Sequence, residues 1–135
     1  AKIIPVQTEH SNAFRIKLSR LSAHAIEAAE QCGGTYIPKI EELQKINEVL
    51  DHFPPDRRLL FCDEKLKASE LNLENLKKGK WAILIGPEGG FSEIERNYIK
   101  GLEFTLSISL GPRILRADTA AVTAISLWQN YLGDW

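Results

Sequence analysis

The sequence is poor in cysteine and has no long apolar run. Its two cysteines, Cys32 and Cys62, lie far apart and form no C-x-x-C pair, so we expect buried thiols rather than a disulfide or metal ligands. The three histidines are also scattered, which argues against a metal site. No apolar run could span a membrane, and the first residues lack the regions of a signal peptide. We therefore expect a cytoplasmic protein that has neither a metal site nor a membrane segment.

Net charge is also small. A formal charge of −1 and an isoelectric point near 6.4 provide no global attraction to nucleic acid. A protein of this net charge can still carry basic residues clustered on one face. A chain of 135 residues with 44% hydrophobic content suits one globular domain with a single core. Composition alone therefore favours no particular partner.

Strand-like and helix-like segments alternate along the chain. The pattern predicts strands over residues 3–6, 36–37, 58–62, 81–85 and 105–110, and helices over 12–32, 40–53, 71–76, 92–102 and 118–132. Segment 81–85 is nearly all apolar, as in a central strand that is buried on both faces. Ser92 and Glu95 match a capping box, and Asp118 is the expected cap of the last helix. These elements predict an α/β fold with a sheet between helices.

Two loops near the C-terminal end follow predicted strands. They comprise residues 86–91 (Gly-Pro-Glu-Gly-Gly-Phe) and 111–118 (Gly-Pro-Arg-Ile-Leu-Arg-Ala-Asp), and neither contains a phosphate-binding or dinucleotide-binding glycine motif. Pro87 removes an amide donor and Glu88 adds a negative charge, so a flat heterocycle or a cationic group suits the first loop better than phosphate. A tight turn, with Glu88 complementing a helix dipole, is the alternative. The two arginines of the second loop favour a functional site.

Three motifs resemble those of one enzyme family. They are residues 86–92 (Gly-Pro-Glu-Gly-Gly-Phe-Ser), residues 110–116 (Leu-Gly-Pro-Arg-Ile-Leu-Arg) with the following Asp118-Thr119-Ala120, and the helix end 27–33 with 37–40. In this order they are similar to the RsmE-type bacterial methyltransferases, which modify N3 of a uridine in 16S ribosomal RNA of the small ribosomal subunit. The resemblance covers essentially the whole chain.

The resemblance implies a SPOUT-type fold, in which a parallel sheet has helices on both faces and the C-terminal segment forms a trefoil knot. It also implies a homodimer and S-adenosyl-L-methionine as the cofactor, bound against the backbone of the knot loops. The expected cofactor-binding residues are Leu84, Gly86, Pro87, Glu88, Gly89, Leu106, Leu110, Gly111, Ile114, Leu115 and Ala117.

The chain also departs from the family pattern. The family usually begins with a PUA-like RNA-binding barrel, so residues 1–135 resemble a methyltransferase domain that is truncated at its N-terminal end. Gly34 stands where the family typically has an arginine, and Ala117 and Asp118 replace the more usual threonine and glutamate. Without the barrel we expect cofactor binding, but weak or absent methylation by this chain alone.

The reaction itself suggests residue roles. Methylation of uridine N3 requires loss of a proton and stabilisation of the resulting anion. Arg116 is the first candidate for stabilising the anion and Arg113 the second, although either could instead form a structural ion pair. Glu88 or Asp118 could accept the proton, and Glu88 could instead serve the cationic end of the cofactor. The sequence does not separate these roles.

RNA contacts and subunit contacts are less well defined. Basic residues that could face RNA phosphates are equally explained as solvated surface; they are Arg15, Lys17, Arg20, Arg57, Arg58, Lys77, Lys78 and Lys80. The last helix, with Trp128 and Tyr131, could form a subunit contact or pack in the core. Two alternative functions stay open: a SPOUT methyltransferase acting on a ribose 2′-hydroxyl, and a non-catalytic α/β module for dimerisation or ligand binding.

Overall fold

The computed structural model describes residues 1–12, 15–66, 76 and 78–133. These residues form two compact units, Ala1–His52 and Phe53–Trp135. Each unit combines parallel strands with helices. The predicted helix over 71–76 lies outside the described residues except for Leu76.

The first unit contains two short parallel ladders. Strand β1 (Lys2–Ile3) pairs with β3 (Lys39–Ile40), and β2 (Val6–Gln7) pairs with β4 (Gln44–Lys45). Two helices complete the unit, α1 (Leu18–Gln31) and α2 (Ile46–Asp51). Pro5, which has no amide hydrogen, lies between β1 and β2, so the predicted single strand is observed as two. The first helix, predicted over 12–32, is observed as α1. Its end is confirmed to within one residue, and Gly33 adopts a φ of 67° just beyond it, but its start is wrong, since residues 15–17 are not helical and the helix begins at Leu18.

The prediction for residues 36–53 is wrong in two respects. Residues 36–37 are not a strand, and the expected helix over 40–53 is confined to α2. The physical reason is pairing with the N-terminal segment, because the Glu41 amide donates to the Ile3 carbonyl (3.0 Å) and the Gln44 amide donates to the Pro5 carbonyl (3.1 Å). These bonds hold the backbone extended up to Lys45 despite a helical apolar spacing.

The second unit contains a three-stranded parallel sheet in the order β6-β5-β7. Its strands are β5 (Arg57–Cys62), β6 (Lys80–Leu84) and β7 (Thr105–Ile108). Among the described strands β5 is the central one, and its residues Leu59 to Cys62 are all buried. The expectation that segment 81–85 is central is therefore wrong for this sheet, since both neighbours hydrogen-bond to β5.

Helices cover both faces of this sheet. Side chains alternate along β5, so that Leu60 and Cys62 pack in one core cluster with Ala124 and Leu132 of α4 (Ala117–Leu132). On the other face, the Phe61 ring contacts Phe91 edge-on, with ring centroids 5.2 Å apart. Phe91 leads into α3 (Glu93–Gly101), and the predicted capping box of Ser92 and Glu95 is present at its N-terminus.

Helix α4 differs from its prediction in its start and its buried face. Arg116 occupies the N-cap position without a side-chain cap, and Asp118 lies in the first turn. The helix buries the small residues Ala120 and Ala124. Val122 and Ile125, whose helical spacing predicts that they belong to the buried stripe, are instead exposed. Ala124 packs in the core cluster with Leu60 of β5 and Ile108 of β7, and this packing decides which face of the helix is buried.

Candidate functional site

The second unit contains a cavity at the carboxyl ends of its three parallel strands. In α/β sheets this edge is the usual place for ligands. The cavity has a volume of about 200 Å³ and is lined by the segments that follow β5, β6 and β7. Its lining residues are Cys62, Asp63, Glu64, Lys65, Ile85, Gly86, Pro87, Glu88, Gly89, Gly90, Ser109, Leu110, Gly111, Arg113, Ile114, Leu115, Ala117 and Ala120.

The loop after β6 is shaped by its glycines. The Gly90 amide donates to the Pro87 carbonyl (2.9 Å), and Gly90 itself has a φ of 66°, a backbone conformation that favours glycine. A Cβ atom on Gly86 would lie 2.7 Å from the Phe91 ring, so a side chain there would displace a buried aromatic residue. The loop therefore depends on glycine at both positions, and its main chain borders the cavity.

Most of the residues expected at the site do line this cavity. They are Gly86, Pro87, Glu88, Gly89, Leu110, Gly111, Arg113, Ile114, Leu115 and Ala117. Four others are not among its lining residues. Leu84 is buried within β6, Leu106 packs on the core cluster, and the exposed side chains of Arg116 and Asp118 pair with each other at 3.7 Å.

The segment after β5 was missed from the sequence. Asp63, Glu64 and Lys65 line the cavity beside the two glycine loops. The available signal was the prediction of a parallel strand over residues 58–62, because polar residues at its carboxyl end belong to the same edge. The polar, lysine-rich composition of residues 63–80 predicts a solvated connection instead, so it hides the contribution of this segment to the site.

Asp63 is the most strongly bonded acid at the site. Its side chain is fully buried, and the Arg96 guanidinium donates to both carboxylate oxygens (2.8 and 3.0 Å). Lys100 Nζ and the Lys65 amide donate to it as well, at 3.2 and 3.1 Å. Burial by itself raises the pKa of Asp63, but these hydrogen bonds outweigh burial and lower it. Asp63 is therefore an ionised structural group at neutral pH, which leaves proton transfer to other residues.

The remaining charges at the site belong to exposed or partly exposed groups. Glu88 and Arg113 are exposed at the cavity, and Lys65 pairs with Glu93 outside it. Asp118, which is exposed, accepts a hydrogen bond from the Thr119 amide (2.7 Å), and this bond is the main cause of its lowered pKa. Apolar side chains, main-chain groups and carboxylates together suit a ligand with a flat heterocycle and a cationic group.

The two cysteines differ in exposure. Cys62 is buried beside the cavity, and burial raises the pKa of its thiol to about 12. Cys32 is exposed just beyond the end of α1, so the expectation that both thiols are buried is wrong for Cys32. Cys32 follows the last residue of α1, and its side chain lies at the surface, where Sγ donates to the Ala29 carbonyl oxygen at 3.6 Å.

This difference predicts that a single thiol reacts quickly. A disulfide reagent such as Ellman's reagent at pH 8 should label Cys32 rapidly, because its thiol is accessible and Cys62 stays protonated and buried. Cys32→Ser should remove the rapid phase, and denaturant should release the second thiol. Two rapid thiols in the folded chain would contradict this assignment.

Among the described residues no group of three or more histidine, cysteine or acidic side chains could hold a metal ion. Likewise, within the described ranges no helix is long and apolar enough to cross a membrane.

Comparison with known proteins gives concordant matches. The family model described as "RNA methyltransferase domain" matches residues 1–129. The small-subunit ribosomal RNA methyltransferase E of Rickettsia conorii is 36% identical over 128 residues, which cover 93% of this chain and 52% of that protein. The enzyme of the same name from Helicobacter pylori J99 is 34% identical, covering 84% and 46%. The chain thus spans about half the length of the curated relatives it matches.

Solved structures match as well. The methyltransferase E of Neisseria gonorrhoeae, solved with bound S-adenosyl methionine, superposes with a TM-score of 0.83 and 29% sequence identity. The match covers 97% of this chain and 55% of that one.

Proposed function

Because the chain belongs to the RNA methyltransferase domain family, we propose that it binds S-adenosyl-L-methionine and methylates N3 of a uridine in 16S ribosomal RNA of the small ribosomal subunit. The observation that carries this proposal is the cavity where both Gly-Pro loops meet at the carboxyl ends of the parallel strands. The names of the relatives and the bound cofactor in the Neisseria enzyme support the same reaction.

The residues around the cavity fit this cofactor. Main-chain groups of Gly86 to Gly89 and apolar side chains such as Leu110 and Ile114 would hold its flat base. Glu88, which is exposed at the cavity, would attract the cationic end through the opposite charge. When bound, the cofactor supplies an electrophilic methyl group.

The chain's own residues would prepare the uridine. N3 must lose its proton and carry negative charge as it becomes a nucleophile. Arg113 lines the cavity, so it would stabilise that charge directly, and Arg116 would act from the same loop if its pair with Asp118 opens. Of the two candidate proton acceptors, Glu88 lines the cavity and Asp118 does not, so Glu88 is the better placed one; this role is the alternative to its pairing with the cationic end of the cofactor.

The finer features of the fold and the assembly belong to the same proposal. The C-terminal segment would be threaded as a trefoil knot of the SPOUT type, and residues 1–135 would act as one methyltransferase domain. The chain would work as a homodimer in the cytoplasm. Exposed apolar side chains on α4, namely Val122, Ile125 and Tyr131, support a subunit contact through this helix.

Calorimetric titration with S-adenosyl-L-methionine tests the cofactor assignment. We expect selective binding over ATP and NAD. Glu88→Ala should weaken binding by about tenfold, equivalent to about 1.4 kcal/mol, through loss of one charge pairing. Arg116→Ala should leave cofactor binding close to that of the unmodified chain, because its proposed role is towards the uridine.

The matched control is Glu103→Ala, which removes an exposed carboxylate that does not line the cavity. Its affinity should equal that of the unmodified chain. A folded chain that binds none of the three ligands would overturn the proposed function.

A further inference from the structure

The segment directly after β5 connects the cavity to α3. Its first two residues, Asp63 and Glu64, are consecutive carboxylates that line the cavity. Asp63 accepts hydrogen bonds from Arg96 of α3, and Glu64 accepts one from Phe91 at the end of the glycine loop that follows β6. The end of the central strand is thereby joined to both ends of the segment 90–96.

Asp63 holds the helix that the glycine loop leads into. Its carboxylate accepts from Arg96 Nε and Nη2, at 3.1 and 2.8 Å, in a pair that is almost entirely buried. Lys100, one turn further along α3, donates to its second oxygen at 3.2 Å. Bidentate pairing of this kind fixes direction as well as distance.

Glu64 holds the end of the glycine loop itself. Its Oε1 atom accepts from the Phe91 amide at 3.4 Å. The same oxygen lies 2.5 Å from the position that a Cβ atom on Gly90 would occupy, so the carboxylate packs directly over this glycine. Gly90 is buried and has a positive φ, which places the contact at the point where the loop turns.

We propose that Asp63, Glu64 and Arg96 are positioning residues that hold the Gly86–Phe91 loop in its cofactor-binding shape. We call these three residues the strand-end clamp. This inference rests on the proposed function, because the loop would contact S-adenosyl-L-methionine and the clamp acts through the loop.

The physical argument is preorganisation. A loop with three glycines has many accessible conformations, and ordering it on binding would cost affinity. The capping box of Ser92 and Glu95 already starts α3 locally, so the clamp is not needed to form the helix. A buried ion pair is also a poor source of stability compared with apolar residues of similar size. Its geometry is better explained by the direction it imposes on the loop and the helix.

Amide hydrogen exchange and calorimetry on the same variants test this role. In the cofactor-free chain, Glu64→Ala should speed exchange at the Phe91 amide by at least about tenfold, because its acceptor is lost. The dissociation constant for S-adenosyl-L-methionine should rise by about tenfold. Glu64→Gln keeps an oxygen acceptor and should restore both values, which a purely electrostatic role would not allow.

The ion pair is tested with the double variant Asp63→Asn/Arg96→Gln, which replaces the two buried charges by a neutral amide pair. Lys100 loses its carboxylate partner in this variant but is 41% exposed and stays hydrated, and Glu93 keeps its pair with Lys65. We expect faster exchange in the loop and weaker cofactor binding. Asp56→Asn is the matched control, since it breaks the exposed Lys80–Asp56 pair and should change neither. Urea denaturation separates local loosening from global unfolding.

The outcomes decide the clamp and the proposed function separately. If the unmodified chain binds S-adenosyl-L-methionine and Glu64→Ala binds equally well with the Phe91 amide still protected, the clamp is wrong and the proposed function stands. If the unmodified chain binds no cofactor, the proposed function fails and exchange at Phe91 alone decides whether the clamp positions the loop.

Discussion

Replacement of Phe91 by alanine is expected to lower the free energy of unfolding of the Phe53–Trp135 unit by about 3–5 kcal/mol, the usual range for a buried aromatic residue. The Phe91 side chain is 1% exposed and packs edge-on against Phe61 at an interplanar angle of 79°. Removing the ring would leave a cavity between the sheet and the glycine loop. Urea denaturation, followed through the fluorescence of Trp81 and Trp128, measures the change.

Ile94→Ala is the matched control for this variant. Ile94 is three residues further along, but it is 80% exposed, so its truncation should change the free energy of unfolding by no more than about 0.5 kcal/mol. Equal effects of the two substitutions would mean that Phe91 is not buried in solution. The helical spacing of Ile94, Tyr98 and Ile99 by itself predicts that all three belong to a buried stripe of α3, and the structure contradicts this for Ile94.

Gly90→Ala is expected to weaken binding of S-adenosyl-L-methionine by about a hundredfold, or about 2.7 kcal/mol. Two effects combine at this position. A side chain at a φ of 66° costs about 1–2 kcal/mol, and its Cβ atom would lie 2.5 Å from Glu64 Oε1. Either the loop or the Glu64 carboxylate must therefore shift, and in both cases the contact between Glu64 and the loop is lost. Calorimetric titration measures the loss of affinity, and thermal unfolding shows whether the chain is still folded.

Gly101→Ala provides the same chemical change at a harmless position. Gly101 is the last residue of α3, its φ is not positive, and an added Cβ atom would meet no atom within 4 Å. Alanine favours helix over glycine, so this variant should keep full cofactor affinity and gain a few tenths of a kcal/mol in stability. Equal cofactor affinities of the Gly90 and Gly101 variants would show that the loop does not depend on its glycine turn.

Several elements of the second unit could be predicted from short stretches of sequence. The apolar runs at 58–62 and 81–85 and the alternation at 105–110 are each observed as strands within one or two residues of their predicted bounds. The capping box of Ser92 and Glu95 is also present, because its two hydrogen bonds involve only residues three apart. Local hydrogen bonds and periodicity are sufficient for these elements.

Residues 36–53 show where local patterns are insufficient. The apolar spacing of this segment predicts a helix, but its first part is extended because it pairs with β1 and β2. These strands lie more than 30 residues earlier in the sequence. The buried face of α4 was similarly decided by packing, since Ala124 belongs to the core cluster of the sheet while the larger Val122 and Ile125 stay exposed. Neither choice depends on neighbouring residues alone.

The sequence by itself determined the α/β character of the chain, the two Gly-Pro loops at strand ends and their resemblance to a methyltransferase family, because each is encoded within a few consecutive residues. Only the tertiary structure decided that β5 is the central strand of its sheet and that Asp63 and Glu64 belong to the site. Asp63 and Arg96 are separated by 33 residues, and their contact exists only because the folded sheet brings the end of β5 beside α3. A pairing over that distance leaves no local pattern from which it could be predicted.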